Sequence, residues 1–282
     1  MIDKFTYKER DYVEALLNNG FMTKYTYYEM SLLCKYWASM DLPKNEVKQN
    51  MVDFCILYNP SFSYALEYKK IKRAVNSAFG KMPNLIQIDS IPIYRHEFKF
   101  IEGTELSHNY QRLLFAFLVL KRIHSYIWKI NSDEDKFSGF INGDKKQSKL
   151  IKEMAHLSGG KKDDLDYMIY DLNDLGYLTR LALGQDYLNF IDVLKEQESE
   201  EIIRVSDFEH VWMYFDYLSG YNRAGRVAIC QECNKPFHYE SKTYPPKYCA
   251  ECARERQRVR DLEYRRKIRS VENTRDVDKV ST

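Results

Sequence analysis

Cys230, Cys233, Cys249 and Cys252 form two Cys-x-x-Cys pairs with fifteen residues between them. Two intervening residues turn the chain enough to point both sulfurs of a pair inward. Two such pairs supply the four thiolates of a tetrahedral zinc site. A disulfide, a redox centre and an iron–sulfur cluster are the competing uses of the same residues. Four sulfur ligands leave no position open for water or substrate, so an ion held this way is structural. His238 lies between the pairs. The sulfurs already complete the set, and it reads as an exposed hairpin histidine.

Directly after the second pair the chain carries Arg254, Arg256, Arg258, Arg260, Arg265, Arg266, Lys267 and Arg269 against Glu255, Asp261 and Glu263. Val259, Leu262, Tyr264 and Ile268 are its few apolar residues. A helix of this makeup cannot be buried all round, so its guanidinium groups meet water or an anion, and they suit phosphate oxygens. The expectation is a basic arm lying along DNA or RNA, against the plainer reading of a solvated helix or frayed tail. A second candidate basic patch, Lys69, Lys70, Lys72 and Arg73, reads more simply as the wet side of a helix.

The elements that must position the cysteines are legible around them. Val227 and Ile229 alternate ahead of the first pair, Asn234-Lys235-Pro236-Phe237 turns into a strand, Pro245 and Pro246 mark a tip, and the second pair opens a helix. This order of knuckle, hairpin and ligand-bearing helix resembles a treble clef, with the flatter zinc ribbon as runner-up. The module is similar to the CGNR zinc finger family and to cysteine modules of prophage and mobile-element proteins. Cys252-Ala253-Arg254-Glu255 stands where that family carries its naming tetrapeptide. The resemblance, confined to this module, implies DNA binding in a transcriptional or mobile-element setting.

The 282 residues are 44% hydrophobic, 30% charged and 15% aromatic, with 23 tyrosines, which fits a folded globular chain and argues against disorder. The net charge of +2 is unevenly spread: residues 230–282 hold 13 Lys/Arg against 9 Asp/Glu, and the rest holds 30 against 32. Any basic function is therefore local. Asp3, Lys4, Lys8, Glu9 and Arg10 interrupt the start, so no signal pattern is expected. The longest apolar run, Leu113 to Leu120, is far short of the roughly 20 residues that span a bilayer and reads as a buried helix. Cys34 and Cys55 lie among apolar residues, and the overall cysteine usage suits a reducing, cytoplasmic protein with no membrane partner.

Helical periodicity fills the first two thirds. Leu32, Leu33, Tyr36, Trp37 and Met40 form one stripe; Val47, Met51, Phe54, Cys55 and Tyr58, begun at Pro43, form another; Tyr64, Tyr68, Ile71, Val75 and Ala78 form a third. Residues 82–95 read as a connector and residues 110–130 as the centre of the bundle. After the loop at 131–144, Leu150, Ile151, Met154 and Leu157 predict one helix, and Leu165, Met168, Ile169, Leu172 and Leu175 a second one closed by Gly176. Alternation around Gly184-Gln185-Asp186 predicts a hairpin. Helix, helix and hairpin resemble a winged helix. The second helix, however, offers Asp163, Asp164, Asp166, Asp171 and Asp174, which phosphates repel, so a structural or partner-docking role is expected of it. The acidic run 195–201 reads as a linker. Ser206 and Glu209 then predict the capping box of a helix that turns Phe208, Val211, Trp212, Phe215 and Leu218 inward.

The fold class is accordingly mainly α: a helical bundle with a winged-helix-like unit, plus a small C-terminal treble-clef zinc module. The expected domains are a helical domain over 1–131, a winged-helix-like unit over 132–195, a linker and connecting helix over 196–225, the zinc module with its basic helix over 226–270, and a polar tail over 271–282. No catalytic motif is found. Residues 158–164 lack the leading glycine and following Ser/Thr of a phosphate loop. A His-Asn-His nuclease needs more histidines than His238 around the hairpin, and the histidines at 96, 108, 124, 156 and 210 show no metal spacing. The expected function is nucleic-acid binding by a zinc protein, DNA binding first, in regulation or replication of a phage or mobile element. The alternative is an adaptor or inhibitor whose aromatic-rich body docks a protein such as a host polymerase or defence component.

Overall fold

The computed structural model describes residues 7–23, 26–80, 84–132, 140–142, 145–158, 164–180, 185–190, 200–221, 226–240 and 244–280. The protein is mostly helical with a few short strands, and it divides into two compact units, Met1–Ile91 with Leu120–Phe140 and Pro92–Val119 with Ile141–Thr282.

In the first unit α1 (Glu9–Asn19), α2 (Thr26–Ala38), α3 (Lys44–Tyr58) and α4 (Tyr64–Ala78) pack on one core. Val13, Leu16, Leu33, Cys34, Val47, Met51, Cys55, Ile71 and Ala74 are fully buried in it. Each buried Val, Leu, Ile or Met contributes roughly 1.5–3 kcal/mol. Gly20, at φ +79, ends α1, and a Cβ there would lie 2.4 Å from the Tyr58 ring, so no other residue fits. The buried carboxylates have partners: Tyr12 donates to one oxygen of Glu29 at 2.6 Å, the other oxygen accepting none, and Glu9 accepts the Ile86 N–H at 2.9 Å with Lys35 at 3.5 Å. Burial pushes the Cys34 and Cys55 thiols up to about 12, which leaves them inert core residues.

Two stripes read from the sequence run too far. Met40 lies past the end of α2 and is exposed. Tyr64 and Tyr68 stay 40% and 39% exposed, because the covered face of α4 is set by Ile71, Ala74, Val75 and Ala78, and its first two turns meet the side chain of Lys48 instead of a core.

The second unit contains α5 (Arg95–Glu102) and the first half of α6 (His108–Ser132), whose residues Leu113–Val119 are buried on every side, as the sequence implies. The connector holds a strand, β1 (Ile91–Tyr94), paired with β5 (Glu201–Val205). Then come β2 (Phe140–Asn142), α7 (Lys145–Ala155), α8 (Leu165–Asp174), β3 (Leu178–Arg180) and β4 (Gln185–Leu188), in a sheet ordered β2-β4-β3. The hairpin pairs Thr179 with Tyr187. Part of what the sequence assigned to a loop is thus a third strand. Asp164 caps α8 by accepting the Asp166 N–H at 2.9 Å, and Gly176 at φ 78 closes it, with the Tyr177 N–H returning to the Leu172 carbonyl at 2.9 Å. Leu157 and Leu175 fall just beyond their helices. Residues 159–163, 181–184 and 195–199 of the expected turn, hairpin tip and linker lie outside the described residues.

The next helix, α9 (Val211–Ser219), is buried over Val211–Asp216. Its capping box is not formed. Ser206 turns to the Tyr214 hydroxyl, and Asp207 accepts the N–H groups of Glu209 and His210 at 3.1 and 3.2 Å in the turn that leads into the helix, whose N-cap, His210, makes no side-chain capping bond.

Candidate metal centre

The strands β6 (Arg226–Ile229) and β7 (Pro236–Tyr239) form an antiparallel hairpin in which Val227 faces His238 and Ile229 faces Pro236. The first cysteine pair is the turn of this hairpin. The Cys230 N–H reaches the Lys235 carbonyl and the Asn234 N–H reaches the Cys230 carbonyl, both at 2.9 Å, while Asn234 takes the left-handed conformation, φ 55, that the tight knuckle requires. The Gln231 N–H bonds to the Lys247 carbonyl at 2.9 Å and draws in the second pair. Cys249 precedes α10 (Ala250–Val280) and Cys252 sits in its first turn.

The four sulfurs lie within 4.8 Å of one another, with Cys233 and Cys249 4.0 Å apart. A tetrahedral site with Zn–S bonds of about 2.3 Å separates its sulfurs by about 3.8 Å, so the donor set matches in kind, number and spacing. His238 is exposed and outside the cluster. Electrostatics point the same way. Burial raises the Cys230 thiol, but backbone N–H groups of Cys233, Cys249 and Glu232 outweigh it and bring it down to about 6. Burial and the neighbouring Cys230 sulfur raise Cys233, and hydrogen bonding to Cys249 together with burial raises Cys252. Four thiolates cannot share this space without a cation, and a divalent ion held there would supply that charge.

The module is fixed to the second unit. The Tyr214 hydroxyl on α9 accepts the N–H groups of Ser206 and Asp207 at 3.1 Å and donates to the Asn234 carbonyl of the knuckle at 2.9 Å. The Trp212 ring lies 5.8 Å from that of His238. Beneath, Arg112 of α6 is buried and makes a bidentate pair with Asp216 of α9, while His108 Nε2 approaches the same carboxylate at 2.8 Å. Burial would raise the Asp216 carboxyl; His108 and Arg112 overcome it and hold it below the usual carboxylate range. Trp212 and Tyr221 flank the guanidinium at 4.9 and 5.5 Å. None of these partners is signalled in the sequence, because Arg112 and Asp216 are 104 positions apart.

α10 runs on for 31 residues. Arg256 is held within the module, 2.7 Å from Glu232 and 4.4 Å over the Tyr248 ring. Arg258 lies 3.6 Å from Glu255, and Arg254 donates to the Ala250 carbonyl. Arg260, Arg265 and Arg266 have no ion pair among the described residues, and every side chain from Ala253 to Lys267 except Arg256 is exposed. The side chain of Arg269 lies outside those described. In the first unit Lys69, Lys70, Lys72 and Arg73 are all exposed, with Lys70 paired to Glu67 at 2.8 Å. No helix among the described residues is long and apolar enough to cross a membrane.

α8 turns Tyr167, Tyr170 and its aspartates outward. Asp171 takes a hydrogen bond from Tyr110, and with Glu105, Leu106, Ser107 and Asp174 these residues line a cavity of about 410 Å³. No protein-family model, no curated protein and no solved structure matches the chain.

Proposed function

We propose that this is a zinc-organised nucleic-acid-binding protein whose α10 lies along the phosphates of DNA or RNA. The observation that carries the reading is the state of α10: from an anchored first turn its described arginines other than Arg256 stand exposed, and Arg260, Arg265 and Arg266 have no ion pair among the described residues. Zinc is the ion we assign to the four cysteines, as a structural centre that fixes where the helix begins. Arg254, Arg258, Arg260, Arg265, Arg266, Lys267 and Arg269 are the residues assigned to phosphate, and Arg256 braces the module. Guanidinium groups spaced along one rod recognise a backbone and do not by themselves read bases. A role in a phage or mobile element rests on the resemblance of the module alone.

The test is fluorescence anisotropy with labelled duplex and single-stranded oligonucleotides at low salt. Wild type binds, and the variant Arg254→Gln, Arg258→Gln, Arg265→Gln loses most of that affinity while melting at the same temperature. Equal binding by the two proteins removes the arm from the function.

A second reading, docking of another protein, is favoured by the acidic, tyrosine-bearing outer face of α8. It predicts a partner with a basic surface, recovered from nuclease-treated extracts and lost on Tyr167→Ala, Tyr170→Ala.

A further inference from the structure

The exposed tyrosines of α4 stand among cations. The Tyr64 and Tyr68 rings lie 5.7 Å apart at an interplanar angle of 69°. The Lys48 ammonium sits 5.5 and 5.7 Å from their centroids, and that of Lys72 5.9 Å from Tyr68. On the other flank of the helix, the Arg73 guanidinium lies 5.2 Å over Tyr27, itself exposed. Lys70 is neutralised by Glu67, whereas Lys48, Lys69 and Lys72 have no carboxylate partner among the described residues. The result is a surface of alternating rings and cations on two helices that a well-packed core holds in place.

We propose that the Lys48–Tyr64–Tyr68–Lys72 surface of α3 and α4 binds single-stranded nucleic acid, its lysines taking phosphates and its tyrosine rings taking bases. The inference rests on the nucleic-acid reading above for its ligand class and on this geometry for the rest. Rings beside cations match a chain in which bases and phosphates alternate, and base–aromatic stacking is tolerant of sequence. A duplex presents phosphates but hides its base faces, so it leaves the tyrosines idle. A lipid surface needs an apolar stripe, and the outer face of α4 carries four basic residues around the exposed Leu66.

The experiment uses the full chain with a labelled oligothymidylate, a duplex of equal length and vesicles containing anionic lipid. Tyr64→Leu with Tyr68→Leu is expected to weaken oligothymidylate binding about tenfold or more and duplex binding less than twofold. Tyr64→Phe with Tyr68→Phe keeps the stacking faces and retains affinity. Lys48→Gln with Lys72→Gln lowers the salt slope for the oligothymidylate by about 1.4, at about 0.7 per phosphate contact. The α10 variant weakens both probes, so the two surfaces separate. Wild type that binds duplex but not oligothymidylate leaves the arm standing and overturns this proposal. So does a leucine variant that binds oligothymidylate as wild type does, one that weakens both probes alike, or a preference for the vesicles. Absence of binding to either oligonucleotide overturns both readings.

Discussion

α8 and α10 belong to one compact unit, yet they are made of opposite materials. α8, the helix the sequence likens to the reading helix of a winged helix, buries Leu165, Met168, Ile169 and Leu172, and shows solvent Asp166, Asp171, Asp174 and two tyrosines. α10, over its described side chains up to Lys267, buries almost nothing and shows solvent arginine. Topology alone would assign the nucleic acid to α8. In the proposed function charge assigns it to α10, since each aspartate near a phosphate costs affinity and each arginine releases counterions. Architecture and function are separable, and here the side chains decide.

The contrast can be broken most severely at its anchor. Cys233→Ser should abolish metal binding, with elemental analysis falling from about one equivalent of zinc per chain to none. Because the apparent binding energy of a structural zinc is on the order of 10 kcal/mol, the hairpin should unfold. The Tyr214–Asn234 bond carries the damage into α9, so near-ultraviolet circular dichroism of its aromatics should change as well. Unchanged aromatic signals would mean that the module hangs free.

Next in size is the ion pair under the mount. Asp216→Asn leaves Arg112 buried without its counter-charge and should cost about 3–5 kcal/mol by denaturant unfolding. The pH dependence has a definite sign. The folded carboxyl of Asp216 lies below the ordinary value of 3.8, so its contribution is complete above that pH and fades as pH falls below it. The variant should lack this acid-side loss. Tyr214→Phe is smaller, about 1–3 kcal/mol, because two N–H groups lose their partner and the Asn234 carbonyl keeps only the Ser206 hydroxyl. Smallest of all, Asp166→Asn with Asp174→Asn on exposed α8 should move stability by about 0.5 kcal/mol or less and leave oligonucleotide affinity alone. A marked gain in affinity would place α8 against the phosphates after all.

Much of this was legible in the chain because the signals are local. The cysteine spacing needed no fold to interpret, and the 3.6-residue stripes located the helices. Three failures share one cause, the absence of a local signal. Tyr64 and Tyr68 continue the apolar stripe of α4, and nothing nearby says that their stretch is left uncovered. Phe140–Asn142 is too short a strand to stand out from a polar loop. Ser206 and Glu209 fit the capping pattern, but Tyr214, eight residues on, claims the Ser206 hydroxyl, and Asp207 bonds the turn before the helix. Arg256 resembled its neighbours until Glu232 and Tyr248 were brought to it.

The most direct test of the account is the salt dependence of duplex binding by wild type and by the variant Arg254→Gln, Arg258→Gln, Arg265→Gln. At about 0.9 log unit per phosphate contact, losing three contacts should flatten the plot of log affinity against log salt by about 2.7. A wild-type slope near zero, or one that the variant leaves unchanged, would contradict it.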